Sequence, residues 1–203
     1  MQLHQYFLSL AAALPFFASL ALGKKLAPWH VTGLRTWEPS GRPGNDPHWF
    51  DYANITNPDP TQTETDPGIA QGVVFCNISW IYPDAPYNKP RDCQILDTTT
   101  STTWAWTIEL LMADANTWPV SNFGLRWRAA STAFPTGPSA QKGVQIWTGA
   151  GQFEAGKNLD YICGASGVCS GKLKSTSTPV LINVTSVSCH GTLQEALHGM
   201  KCD

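Results

Sequence analysis

The chain has 203 residues and a formal net charge of −2, with only 14% charged residues against roughly 25% in average soluble proteins, while tryptophan (9), proline (15) and glycine (17) are plentiful. That composition excludes a disordered acidic or basic tail, and without a basic excess to neutralise phosphates nucleic acid is not an expected partner. The length suits one domain with a real core and is short for two.

From Phe7 to Leu22 the chain is apolar apart from Ser9 and Ser19, and Ala21-Leu22-Gly23 puts small residues at −3 and −1 before Lys24. This is the pattern of a secretory signal peptide, although His4 is the only candidate positive group ahead of the apolar run. A membrane anchor needs roughly 20 apolar residues; this run is shorter and is broken by Pro15. The expectation is that residues 1–23 are removed, that 24–203 form a single secreted, extracellular domain, and that no membrane contact survives cleavage.

In chain order, candidate strands run Trp29–Trp37, Trp49–Thr56, Gly72–Trp80, Thr103–Met112, Asn122–Ala129, Gly143–Phe153, a short piece near Leu159–Cys163, and Pro179–Val187. Alternation is clearest where Trp104, Trp106, Ile108 and Leu110 oppose Thr103, Ala105, Thr107 and Glu109, and where Phe123, Leu125 and Trp127 oppose Gly124, Arg126 and Arg128. Loops such as Pro39-Ser40-Gly41-Arg42-Pro43-Gly44 and Asn57-Pro58-Asp59-Pro60 hold residues that cannot continue a ladder. Only Thr192-Leu193-Gln194-Glu195 reads as a helix start, through a capping box, with Gly199 as its stop. So short a helix cannot supply crossovers, which excludes doubly wound and α/β-barrel folds and leaves an antiparallel barrel or sandwich.

Three N-glycosylation sequons agree with export: Asn54-Ile55-Thr56, Asn77-Ile78-Ser79 and Asn183-Val184-Thr185. Each falls on the solvent register of its strand. Around Asn77, Val74, Cys76, Ile78 and Trp80 take the inward face; around Asn183 the inward set is Val180, Ile182 and Val184; around Asn54 it is Trp49, Ala53 and Ile55, with Asp51 the misfit. The even set of six cysteines, Cys76, Cys93, Cys163, Cys169, Cys189 and Cys202, reads in an exported chain as three disulfides. Proximity favours Cys76–Cys93, Cys163–Cys169 and Cys189–Cys202, although six cysteines permit other pairings. None of the spacings is a zinc C-x-x-C.

No catalytic motif emerges. Gly164-Ala165-Ser166-Gly167-Val168 fails the nucleophile-elbow pattern at its last position, and Thr148-Gly149-Ala150-Gly151 lacks the Lys-Ser/Thr of a phosphate loop, so both are read as turns or a bulge. His48 near Asp46 and Asp51 could form an acid–base group, and Glu109 and Glu154 are carboxylate candidates by elimination. Glu109, on the solvent face of its strand, reads as a solubility residue. Trp80, Trp104, Trp106 and Trp127 are assigned to the core, whereas Trp37, Trp49, Trp118 and Trp147 could contribute to an exposed binding patch.

Several stretches together resemble fungal small secreted proteins of the Alternaria major-allergen family: Trp29-His30-Val31-Thr32-Gly33-Leu34, the Pro39–Gly44 turn, Ile55-Thr56-Asn57-Pro58-Asp59, Val74 to Trp80, Cys93 after a Pro-rich loop, Trp104-Ala105-Trp106-Thr107-Ile108, Phe123-Gly124-Leu125-Arg126-Trp127, and Tyr161-Ile162-Cys163 with Cys169. The similarity spans about residues 29–187 and is one of pattern. It implies a compact β-barrel, the disulfides Cys76–Cys93 and Cys163–Cys169, no catalytic residues, and allergen or effector roles recognised by plant hosts. The chain departs from the founding member in having no cysteine before Cys76, so no covalent dimer is expected; the extra Cys189 and Cys202 would staple a tail beginning near residue 188.

The resulting expectation is an all-β, disulfide-stabilised barrel or sandwich with one short C-terminal helix. It would need no cofactor or metal and would act without catalysis at a host or cell-wall interface. Its partner would be a host protein, a small apolar ligand or a cell-wall glycan. Tryptophan content supports the alternative of a carbohydrate-binding or glycan-active protein.

Overall fold

A computed structural model describes residues 26–57, 72–96, 104–112, 117–132, 135–136 and 141–198. The expected leader and Cys202 lie outside them. One sheet has the order β10-β11-β1-β2-β3-β5, built from β1 (Trp29–Glu38), β2 (His48–Thr56), β3 (Val73–Ile81), β5 (Gln94–Ile95), β10 (Leu159–Cys163) and β11 (Cys169–Leu173); β12 (Val180–Ile182) pairs with the start of β1. The second has the order β13-β9-β7-β6-β4, from β4 (Arg91–Asp92), β6 (Trp104–Leu111), β7 (Asn122–Ser131), β9 (Gln141–Glu154) and β13 (Val184–His190), with β8 (Pro135–Thr136) against β9.

The ladders are antiparallel throughout. The sheets do not close on one another, so the architecture is a sandwich and the barrel implied by the family resemblance is corrected. Among the described residues no strand pairs with both sheets, and the last crossing between them is made at Asn183, between β12 on the first sheet and β13 on the second.

Alternation decides the core. Trp29, Val31 and Leu34 of β1, Ala53 and Ile55 of β2, Ile78 of β3, Trp106, Ile108 and Leu110 of β6, and Phe123, Leu125 and Trp127 of β7 are all buried between the sheets. Trp29 and Trp106 meet across the gap with ring centroids 4.7 Å apart. Tryptophan here serves by volume. The indole Nε1 atoms of Trp29, Trp80, Trp106 and Trp127 find no hydrogen-bond partner among the described residues, a cost offset by the apolar area each ring removes from water.

Three expectations are corrected by packing. Thr148-Gly149-Ala150-Gly151 is not a turn but part of the long strand β9, with Gly149 and Gly151 opposite Trp127 and Leu125. A Cβ on Gly149 would stand 2.7 Å from Ile182 Cγ2, and one on Gly151 would overlap Ile182 Cδ1. The glycines are there so that β12 can seat Ile182 in the core. The single strand expected over Pro179–Val187 is two, split at Asn183. Residues 169–173, expected only as the far side of a disulfide hairpin, form β11 and put the hairpin against β1.

Helix α1 (Leu193–Leu197) begins where the capping box places it: Thr192 Oγ1 accepts from the Glu195 backbone N–H, and the Glu195 carboxylate accepts from the Thr192 N–H. Its buried Ala196 and Leu197 pack with Ala130, Val144, Ile146 and Cys189 on the outer side of the second sheet.

Candidate functional site

Cys76 is bonded to Cys93 and Cys163 to Cys169, as proximity indicated. Cys189 is disulfide-bonded as well; Cys202, expected as its partner, lies outside the described residues. The Cys163–Cys169 bond closes the β10–β11 hairpin, where Gly164 N–H donates to Val168 O and Gly167 N–H to Gly164 O, so Ser166 sits in a turn. Of the sequon residues, Asn77 and Asn183 are exposed and Asn54 is half-buried; Asn54 and Asn77 take outward registers of β2 and β3, whereas Asn183 lies at the break between β12 and β13.

The acid and base candidates are satisfied separately. His48 Nδ1 lies 2.6 Å from Asp46 Oδ1, both exposed, and the backbone N–H of His48 is the first of the contacts holding the Asp46 carboxyl below its ordinary range. Glu154 pairs with Lys157 in the next turn. Glu109 corrects the expectation of a solvent-facing acid: it is 4% exposed, with Oε2 3.0 Å from Arg126 Nη1 and Oε1 3.5 Å from Arg128 Nη1. Arg128 Nη1 also donates to the Leu197 carbonyl of α1, which ties this ion pair to the helix. His198, at the end of that helix, lies 3.5 Å from Asp92.

Asp51 occupies the inward register of β2, as the misfit in the sequence pattern indicated. It is fully buried and neither carboxyl oxygen has a hydrogen-bond partner among the described residues. Burial alone drives its pKa well above the ordinary carboxylate value. Tyr87 lies near enough that Asp51 adds to the effect of burial in raising the phenol.

One end of the sandwich carries a different arrangement. β1 finishes at Glu38, β2 starts with Trp49 second in the strand, β3 runs out at Tyr82, and β7 is entered through a turn at residues 118–121. These ends converge on an aromatic cluster. Trp49, 7% exposed, stacks on Tyr82 at 5.4 Å with 22° between planes and meets Trp118 edge-on at 5.5 Å. Tyr82 and Trp118 are 58% and 40% exposed, with centroids 6.4 Å apart and planes at 44°.

A carboxylate stands beside them: Trp118 Nε1 donates to Glu38 Oε2 at 3.1 Å and the Tyr161 hydroxyl to the same oxygen at 2.5 Å. Burial first, then the bond to Glu38, pushes the Tyr161 phenol far above its usual value, so it remains a donor at any physiological pH. The turn is tied down by Thr36 Oγ1, which donates to Val120 O at 2.8 Å. Sequence reading reached Trp49 and Trp118 but missed Tyr82, beyond the predicted end of its strand, and Glu38, whose only signal was its place before the Pro39 turn. Of the other unsettled tryptophans, Trp147 is core, and Trp37 lies on the outer face of β1 stacked on Phe50 at 6.0 Å.

Among the described residues no group of three His, Cys, Asp or Glu side chains could hold a metal ion, and no helix is long and apolar enough to cross a membrane. The disulfides fit an oxidising compartment. No protein-family model, no curated protein and no solved structure matches this chain.

Proposed function

We propose that this is a fungal small secreted protein of allergen or effector type that binds, without catalysis, at a cell-wall or host interface, and that its ligand there is a wall glycan. The exposed Tyr82–Trp118 pair, held over buried Trp49 beside the Glu38 carboxylate, carries this reading. Sugars present patches of C–H on one face and hydroxyls at the rim, and an aromatic ring beside a fixed acceptor answers both. Planes inclined at 44° suit a bent chain or a chain end better than the flat face of a crystalline polymer. Separate local pairing of Glu109, Glu154 and His48 supports a binding role, because a glycosidase needs two carboxyl groups roughly 5–10 Å apart facing one sugar.

Co-sedimentation of the secreted protein with insoluble fungal and plant wall polysaccharides tests this. Binding that falls at least tenfold in Trp118→Ala, with no release of soluble sugar, is the expected result. Undiminished binding by Trp118→Ala with Tyr82→Ala overturns the site, and turnover abolished by changing a single acid overturns the non-catalytic reading.

A further inference from the structure

The outer face of the first sheet carries a second aromatic group, far from solvent-shy: Phe50, Tyr52 and Phe75 are only half-buried, with Phe50 and Tyr52 centroids 4.4 Å apart and Tyr52 and Phe75 5.6 Å apart. The register between β2 and β3 sets Tyr52 directly opposite Asn77, and Asn54 directly opposite Phe75. The four side chains form a square, the rings in contact along one diagonal and the two asparagines at the other corners. Each asparagine therefore has one ring two residues before it on its own strand and another across the ladder, at about 5 Å between Cβ atoms. Both asparagines open sequons, Asn54-Ile55-Thr56 and Asn77-Ile78-Ser79.

On the far side of Asn54, β1 presents Gly33, where a Cβ would meet Asn54 Nδ2 at 3.2 Å. Gly33 and Asn54 border a shallow cavity of about 550 Å³, lined by Arg35, Tyr52, Phe75 and Lys172 among others. A single pyranose fits that space, and its C–H face would lie on a ring.

We infer that the occupant of this face is the chain's own carbohydrate: the first N-acetylglucosamine on Asn54 and on Asn77 packs against Tyr52 and Phe75, making the glycans structural parts of the sheet rather than solvated appendages. The inference rests on export of the chain but not on the Tyr82–Trp118 site. Asn183 supplies an internal contrast, since the residue two before it is exposed Leu181 and not an aromatic.

The test uses the full chain secreted from a yeast host. Glycopeptide mass spectrometry should find Asn54 and Asn77 occupied. Thr56→Ala and Ser79→Ala, which remove the sequons but keep the asparagines, should each lower Tm by roughly 2–4 °C, whereas Asn183→Gln, at an exposed side chain, should leave it unchanged. Trimming to a single N-acetylglucosamine should retain the stability, and that sugar's ring protons should shift upfield by NMR in unmutated protein, which needs no folded variant. Unoccupied Asn54 and Asn77 on protein recovered from the medium overturn the inference while leaving export standing; retention inside the cells overturns both. Occupied sites with unshifted sugar protons, or a Tm loss that persists in a Tyr52→Ser/Phe75→Ser background, also overturn it.

Discussion

Thr36 and Asp51 stand opposite each other on β1 and β2, both buried, yet only Thr36 is satisfied: its hydroxyl donates to Val120 O, and the Asp51 carboxyl faces the core without a partner. A buried acid in that position is stable only when protonated. Below about pH 4 both folded and unfolded chains carry the proton and stability is unaffected. As pH rises the unfolded carboxyl ionises while the folded one does not, so stability falls by up to about 1.4 kcal/mol per pH unit until the folded pKa is reached. Asp51→Asn removes this slope. The difference in denaturation midpoint between variant and parent should therefore grow in favour of the variant from pH 4 to pH 7; a difference that stays flat would show Asp51 to be ionised and solvated.

Glu109 has the opposite problem, because its charge is buried but answered by two arginines that are themselves partly exposed. Removing it leaves Arg126 and Arg128 side by side with no counter-charge. Glu109→Gln should cost about 2 kcal/mol, seen as a lower urea midpoint with unchanged slope. Loss of less than about 0.5 kcal/mol would mean that the pair behaves as an ordinary surface ion pair.

Gly149 is pressed by Ile182 Cγ2, by the Asn183 carbonyl at 3.1 Å and by Trp29 at 3.2 Å. Backbone and indole cannot retreat as a side-chain terminus can. Gly149→Ala should therefore destabilise by about 1–3 kcal/mol, and Ile182→Ala should recover part of the loss in the double variant through space freed at the same contact. Additive effects in a thermodynamic cycle would dissociate the two residues.

The two described disulfides should differ in worth. Cys76–Cys93 spans 17 residues and holds fully buried Cys76, whereas Cys163–Cys169 spans 6, with Cys163 exposed and Cys169 buried outside the main core. On the chain-entropy model the longer loop contributes about 3 kcal/mol and the shorter about 2, and only the first removes a member of the main core cluster. Paired serine variants should lower Tm more for Cys76/Cys93; equal losses would count against this ranking.

Much of the scaffold was legible because strand periodicity is local. Alternation at Trp106, Ile108 and Leu110, and at Phe123, Leu125 and Trp127, places those residues inward whatever the topology, and Thr192 with Glu195 starts a helix through bonds made within one turn. Even the misfit at Asp51 was visible as a polar residue on an apolar register.

What the chain order could not reveal was which surfaces are covered and which ends meet. Glu109 is outward by periodicity yet buried, with Arg126 and Arg128 on its carboxylate. The glycines of β9 look like a turn until Ile182 is found filling their space. Barrel and sandwich share the same alternation, and only the pairing of whole strands separates them. Likewise Glu38, Tyr82 and Trp118 are remote along the chain and meet only where β1, β3 and the turn before β7 end together. Periodicity reports the direction of a side chain; a site requires distances between strands, and those follow from tertiary packing alone.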